Sequence, residues 1–451
     1  MPAERRKDTS RARELPRLPS AVRRKGVTVP GSGTYVTVPA MAPPSTPPES
    51  PRSASRNGAP ADEGWAAWRV VAALGVTQII SWGSLYYAFA VVMDGVRNDL
   101  GASYPMVVGA YSVAVLVSGF AAAPVGRYID RHGARVPMTL GSLAGALLLA
   151  AFSQVASVPA LYLVWAGIGG AMALVLYEPA FASLALVFRT NLRRAITGLT
   201  LVAGFASTVF WPLTQWLDTH WGWRNAIVVL AGLNLVFCVP LHLWVLPRRG
   251  RGEASRGAAS DPAGRARLLR DPRFRWIAVA FTLNMLAQAS LSVHLLAILQ
   301  EKGFSAAAAA WLAALVGPMQ VASRVVELAV ASRVKAVQVA ALAMLASPVA
   351  MAVLLVAGGD PSWVVVFVML YGASCGVMTI VRGTVPAEIW GREGYGALAG
   401  LMATPVILMR AVAPSLAAAF LAASGSYAAV EWMLLAASLM SAAAFVYATH
   451  R

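Results

Sequence analysis

The chain has 451 residues, of which 58% are hydrophobic and only 13% charged, a balance far too apolar for a water-soluble domain of this size. Its formal net charge is +17, yet Lys and Arg sit almost wholly in tails and in loops between apolar runs, so basic residues retained on one side of a membrane account for the excess and no nucleic-acid partner is called for. The two cysteines, Cys238 and Cys375, stand isolated in apolar stretches, which excludes a metal or redox site built on them and leaves them as packing residues.

Residues 1–64 are rich in Pro, Ser, Ala and Arg, show no apolar period and are expected to form a disordered basic tail. The tail has no apolar core of the kind a signal peptide needs, and Met41 offers an alternative start of translation. Its basic clusters, Arg5-Arg6-Lys7 and Arg23-Arg24-Lys25, suit a solvated tail, with anionic lipid head groups as the other candidate contact.

Apolar runs then follow at regular intervals, at about 68–93, 104–125, 137–156, 160–182, 194–216 and 223–246. After a polar, arginine-rich stretch they resume at about 274–299, 306–331, 337–357, 362–384, 395–422 and 427–448. Each is long enough to cross a ~30 Å hydrocarbon core. Pro105, Pro137, Pro159 and Pro361 fall where helices are expected to begin or end. The expected fold is an all-α membrane protein of twelve transmembrane helices in two six-helix pseudo-repeats: a half over 65–246, a linker over 247–273 and a half over 274–451. The halves look related. Helix 4 runs into Tyr177-Glu178-Pro179-Ala180, and helix 10 into Arg382-Gly383 and then Pro386-Ala387-Glu388. Parallel halves of this kind place a substrate at their interface near the bilayer midplane. With the N-terminus inside, one face holds Arg127, Arg131, Arg135, Arg189, Arg193, Arg194, the arginines from Arg248 to Arg275, Arg333, Lys335 and Arg392, against Arg97, Arg224 and Lys302 on the other. Both termini are therefore expected in the cytoplasm, with the chain in the cell inner membrane.

The most specific stretch is Gly126-Arg127-Tyr128-Ile129-Asp130-Arg131-His132-Gly133-Ala134-Arg135, read as a turn joining helices 2 and 3. Its Gly-xxx-Asp-Arg-x-Gly-x-Arg spacing resembles the loop that marks the major facilitator superfamily of secondary transporters. The resemblance implies that Asp130 caps the start of helix 11 and pairs with nearby arginines, and that Gly126, Asp130, Arg131, Gly133 and Arg135 latch the cytoplasmic side. Ser81-Trp82-Gly83-Ser84-Leu85-Tyr86-Tyr87 lies in helix 1. Phe188-Arg189, Arg193-Arg194-Ala195, Gly198 and Ala203-Gly204 lead into helix 5, with Gly222-Trp223-Arg224 and Gly303-Phe304-Ser305 elsewhere. The helix 5 approach and the last two stretches, together with His294, resemble the monocarboxylate-transporter-like branch, over about 68–448. Helix 5 contains Pro212 without adjacent glycines and so lacks the Gly-Pro-centred motif of drug–proton antiporters.

Charges within apolar runs are the sharpest functional signals, because each is costly unless it meets a cavity or a partner. Arg324 lies in helix 8 and Arg410 in helix 11. In carboxylate carriers of the resembled branch, including the oxalate–formate exchanger type, basic residues in these two helices clasp the anionic substrate, which a guanidinium does with two parallel hydrogen bonds. A purely structural alternative pairs Arg324 with Glu327 on the same helix face. The branch carries an acid one turn before the helix 8 arginine, where this chain has Gln320, and the nearby acid here is Glu327 instead. Glu178 and Arg382 could close the inner mouth, Tyr86, Tyr87, Asn284 and Gln288 are candidates to line the cavity, and His294 is a candidate to titrate.

No phosphate-cradling loop, zinc-ligand spacing or nucleophile–base pair is present in the sequence, so neither an enzyme nor a bound cofactor or metal is expected. The expected function is secondary active transport of a small organic anion, a carboxylate by resemblance, by alternating access of a monomer, with protons as the candidate coupling ion. The rival readings are an efflux pump for amphipathic drugs or toxic inorganic compounds and, more remotely, a non-transporting membrane sensor.

Overall fold

The computed structural model describes residues 64–247 and 262–450. The expected tail up to residue 63, and residues 248–261 of the expected linker, lie outside the described residues. Among the described residues, eleven apolar helical segments are long enough to cross a membrane, and the longest, Leu192–Val245, is two helices in series because Gly222 sits at φ 78°, outside helical space. The membrane helices are α1 (Trp65–Leu100), α2 (Tyr104–His132), α3 (Arg135–Phe152), α4 (Val158–Val187), α5 (192–221) and α6 (223–245), then α7 (Pro272–Glu301), α8 (306–330), α9 (Ala336–Val356), α10 (Pro361–Trp390), α11 (Tyr395–Ser424) and α12 (Tyr427–His450). No strand occurs among the described residues. The linker contributes a short helix, Pro262–Arg270, just before α7.

Local chemistry fixes the helix starts. Pro105, Pro159 and Pro361 occupy first-turn positions of α2, α4 and α10, where a missing N–H costs nothing. Asp271 and Asp360 cap α7 and α10 by accepting from the backbone N–H of Arg273 and Ser362, at 2.9 and 2.8 Å. Helix ends run further than the apolar pattern. The stretch 126–135, expected as a turn, is helical through His132, and only Gly133, at φ 85°, and Ala134 separate α2 from α3. Once a helix has left the hydrocarbon its polar residues are solvated, and nothing forces it to stop before a residue that permits positive φ.

The packing repeats across the two halves. α2 packs on α4, α3 on α4 and α6, and α1 on α5 and α6; adding six to each number gives the contacts α8 with α10, α9 with α10 and α12, and α7 with α11 and α12, all of which occur. Even the close approaches correspond. Gly169 of α4 lies against the Ala114 carbonyl of α2, and Gly376 of α10 lies against the Gln320 carbonyl of α8. Small residues at such crossings let helices approach where no hydrophobic effect drives them together.

The halves meet through α2 against α11, α5 against α8 and α10, and α4 against α11. Toward the face that carries Asp130 they share one apolar core, in which Phe181, Leu192 and Ile196 pack with Ile380, Tyr395 and Ala399. Toward the opposite face each half keeps its own core, around Trp165 and Phe152 in one and Phe367 and Leu434 in the other. Leu147, Leu163 and Trp244 project outward at 62–76% exposure, a lipid-facing belt.

Candidate functional site

Two interruptions of regular helix shape a central cavity. In α1 the turn Gly83–Tyr87 widens to a π-helical turn, which re-aims the residues after it. Gly83 lies against the Phe210 ring of α5, where no side chain fits. In α4 the backbone turns extended at Leu176 (φ −78°, ψ −155°), and a new helix starts at Tyr177. Glu178 therefore occupies a helix first turn, where the dipole favours a carboxylate.

The cavity wall includes Trp82 of α1, Tyr177, Glu178 and Phe181 of α4, Arg382 of α10 and Arg410 of α11. The Arg410 guanidinium stands 5.8 Å from the centroid of the Trp82 ring and makes no hydrogen bond or ion pair among the described residues. Arg382 donates from Nε to the Met378 carbonyl at 3.3 Å and lies within Coulombic range of Arg410 and Glu178. No ion pair within 4.0 Å engages Glu178 among the described residues. Two guanidiniums and one carboxylate thus face a space walled by aromatic and aliphatic side chains, a formal excess of one positive charge. Tyr86 packs edge-on against Trp82 and Tyr111, at 5.0 and 5.4 Å between centroids, and Tyr87 against Trp211 at 5.8 Å. Tyr87, Tyr111 and Tyr177 all lie in Coulombic range of Arg410.

Other sequence-predicted residues take different places. Arg324 lies in the last third of α8, 5% exposed, and reaches across the interface to the Thr200 carbonyl of α5 at 3.0 Å and to the Gly376 carbonyl at 3.4 Å. Gly204, at the break in α5, leaves room for its guanidinium. Glu327, 2% exposed, is paired with Arg193 rather than with Arg324: Arg193 Nε donates to Oε1 at 2.6 Å, and Thr197 Oγ1 donates to Oε2 at 2.6 Å. Gln288 Nε2 donates to Asn284 Oδ1 at 2.7 Å, and Asn284 Nδ2 is buried without a partner. Both stand further along α7 from Phe281, which does line the cavity. His294 contacts the Pro414 carbonyl at 3.1 Å and the Tyr427 hydroxyl at 3.4 Å, tying α7 to α11 and α12 near the opposite face.

At the Asp130 face, Asp130 accepts from the backbone N–H of Gly396 and Ala397 at 2.7 and 2.6 Å and so caps α11. Gly126 of α2 and Gly396 of α11 touch backbone to backbone, and a Cβ on either would collide with the other's carbonyl. Arg131 and Arg135 flank this contact, on either side of Gly133.

Sequence reasoning missed the partnership of Glu327 with the start of α5. The signal was the pseudo-repeat: Asp130, near the end of α2, caps α11, and Glu327, near the end of α8, meets the first turns of α5, the same relation shifted by six helices. Tyr177 and Trp82 were also missed as wall residues, because neither carries a charge that stands out in an apolar run.

The Major Facilitator Superfamily model matches residues 71–404. Monocarboxylate transporter 13 of Bos taurus is 28% identical over 352 residues, 74% of this chain and 77% of that protein. Monocarboxylate transporter 4 of Mus musculus is 31% identical over 208 residues, 44% of this chain and 43% of that protein. Among solved structures, the human organic anion transporter MFSD10 superposes with a TM-score of 0.65 at 15% identity, covering 84% of this chain and 99% of that one. The proton:xylose symporter XylE bound to 6-bromo-6-deoxy-D-glucose gives 0.65 at 14% identity, with 84% and 94% covered. At such identities the structural likeness bears on the fold alone. Two six-helix repeats meeting around a central cavity, with a family match that spans most of the described chain, make this protein a transporter of the Major Facilitator Superfamily.

Proposed function

We propose that the chain carries a small organic anion, a monocarboxylate in the first instance, across the inner membrane by alternating access. The observation that carries this reading is Arg410, a cavity-lining guanidinium with no hydrogen-bond acceptor of its own, set among aromatic rings and beside Arg382. A carboxylate would meet it with two parallel hydrogen bonds, and the aromatic wall would take the apolar remainder. The relatives named monocarboxylate transporters support the substrate class. The arginine bias supports a cytoplasmic Asp130 face, so that the conformation described is closed inward. Arg324 is assigned to that closure here, and would reach substrate only when α5 and α8 part. Glu178, the unpaired carboxylate of the wall, is the candidate for proton coupling.

Uptake into proteoliposomes from a panel of labelled mono- and dicarboxylates, with and without an imposed pH gradient, tests the reading. Arg410→Gln is expected to abolish uptake of the preferred anion and Arg410→Lys to leave an intermediate rate, since lysine keeps the charge and loses the two-pronged geometry. Undiminished uptake by Arg410→Gln would overturn the site. Glu178→Gln is expected to retain anion exchange at equal pH while losing accumulation driven by the pH gradient, and equal loss of both would remove Glu178 from coupling.

A further inference from the structure

Gln78 of α1 is fully buried one turn before Trp82, and its amide is engaged at both ends. We infer that Gln78 is the positioning residue of the anion site: it holds the Trp82 ring against Arg410 and through that ring sets the affinity for the substrate. The inference rests on the reading of Arg410 as the guanidinium that meets the carboxylate.

The chain of contacts begins at the break in α4. In a continuous helix the Val175 carbonyl would accept from the amide four residues on, but that residue is Pro179, which has no N–H. A carbonyl left without a donor at membrane depth is costly. Gln78 Nε2 supplies the donor from α1, reaching the Val175 carbonyl at 2.6 Å and the Leu176 carbonyl at 3.5 Å. Carbonyls only accept, so the amide nitrogen must face α4 and the amide oxygen must face away from it. That oxygen accepts from Trp82 Nε1 at 3.2 Å, and an indole N–H only donates. The two ends of the amide cannot trade places, and the indole is tethered through Gln78 to the α4 backbone.

The tethered ring touches both halves. Tyr177, the first residue after the break, lies 4.9 Å from it between centroids, and the Arg410 guanidinium stands over it at 5.8 Å. A ring attracts a cation through its quadrupole and offers no lone pair to the N–H groups, so Arg410 is steadied and keeps its donors for a carboxylate. Pro179 thus reaches Arg410 through Val175, Gln78 and Trp82 in turn. Without the amide, the Val175 carbonyl is unmet and the ring is free to turn away from the guanidinium.

The experiment measures the concentration dependence of uptake into proteoliposomes, which separates KM from kcat, and its probe is the carboxylate of the uptake panel that the native protein takes up fastest. Gln78→Met keeps the length and volume of the side chain and removes both ends of the tether. Trp82→Phe keeps a ring and Gln78's bonds to α4 and removes the indole N–H, so it decides the matter should the first variant fail to fold. Each is expected to raise KM about fivefold, the scale of one cation–π contact, with kcat within about twofold of the native protein. Because both cut the same tether, the double variant is expected to raise KM no further than the larger single change, where independent effects would multiply to about twenty-five-fold. An amide that only satisfied the α4 backbone would lower the melting temperature and the amount of active protein and leave KM as it was. Unchanged KM in either variant, or multiplied effects in the double variant, would overturn the inference alone, provided Arg410→Gln is inactive. Undiminished uptake by Arg410→Gln would remove the reading of the site and this inference with it.

Discussion

A buried ion pair in a transporter is informative through what breaks when one partner goes. Glu327 and Arg193 are 2% and 15% exposed in their side chains, so removing one leaves the other charged and out of water, at a cost of about 3–5 kcal/mol. Glu327→Gln alone is expected to destabilise the protein strongly, and Glu327→Gln with Arg193→Gln to recover much of that loss, as read by melting temperature in detergent. The pairing of Glu327 with Arg324, which sequence spacing allowed, makes the opposite forecast. Combining Glu327→Gln with Arg324→Gln should give no such recovery, because Arg324 bonds to backbone carbonyls and shares no carboxylate oxygen with Glu327. Rescue by the second pair and not the first would reverse the assignment. This is where sequence reading ran out: residues 134 positions apart cannot be paired by local spacing, whereas three positions on one helix always look like partners.

At the scale of helices, α2 and α11 are held by two devices that depend on each other. The Gly126 and Gly396 backbones touch, and that approach brings the Gly396 and Ala397 amides within reach of Asp130. Gly396→Ala is expected to push the helices apart and lose the cap together with the close packing, while Asp130→Asn loses the charge-assisted bonds and keeps the packing. Both should weaken only the state closed at this face, so the protein should still bind its anion while turnover slows, with Gly396→Ala the more severe. Unchanged turnover in both would reduce the contact to a topological anchor. Here the sequence was legible through resemblance, because the Gly-xxx-Asp-Arg-x-Gly spacing matches a known family's loop and implied the Asp130 cap on helix 11, whereas the spacing alone predicted only a turn. The helix count was equally legible, since each apolar run must satisfy its backbone internally. The join of α5 to α6 and the extension of α2 through His132 were not. A helix end depends on where hydrocarbon gives way to water and on which residue accepts positive φ, and apolar runs report only the first.

For the molecule as a whole, the polar contacts between the two halves gather on one side of the cavity, while apolar contact between α2 and α11 continues to mid-helix around Val115, Gly119 and Ile407. The cap of Asp130 on α11, the Glu327 pair, the Arg324 contact with Thr200 and the Arg392 contact with Phe188 all lie toward the Asp130 face. Opening that face requires breaking them together, and their number favours two end states over a continuum. If the arginine bias sets the topology, this joined face is the cytoplasmic one. The native cysteines, Cys238 and Cys375, are both buried, so single engineered cysteines can be labelled over a low background. A cysteine at Ala102, between α1 and α2, or at Ser426, between α11 and α12, should react with a membrane-impermeant maleimide in intact cells, because both loops lie on the face opposite Asp130. A cysteine at Glu393, beside the Asp130 contact, should react only after the membrane is permeabilised. Labelling of Glu393→Cys in intact cells, with Ala102→Cys silent until permeabilisation, would invert the protein in its membrane, and the latch described here would then close the outer mouth.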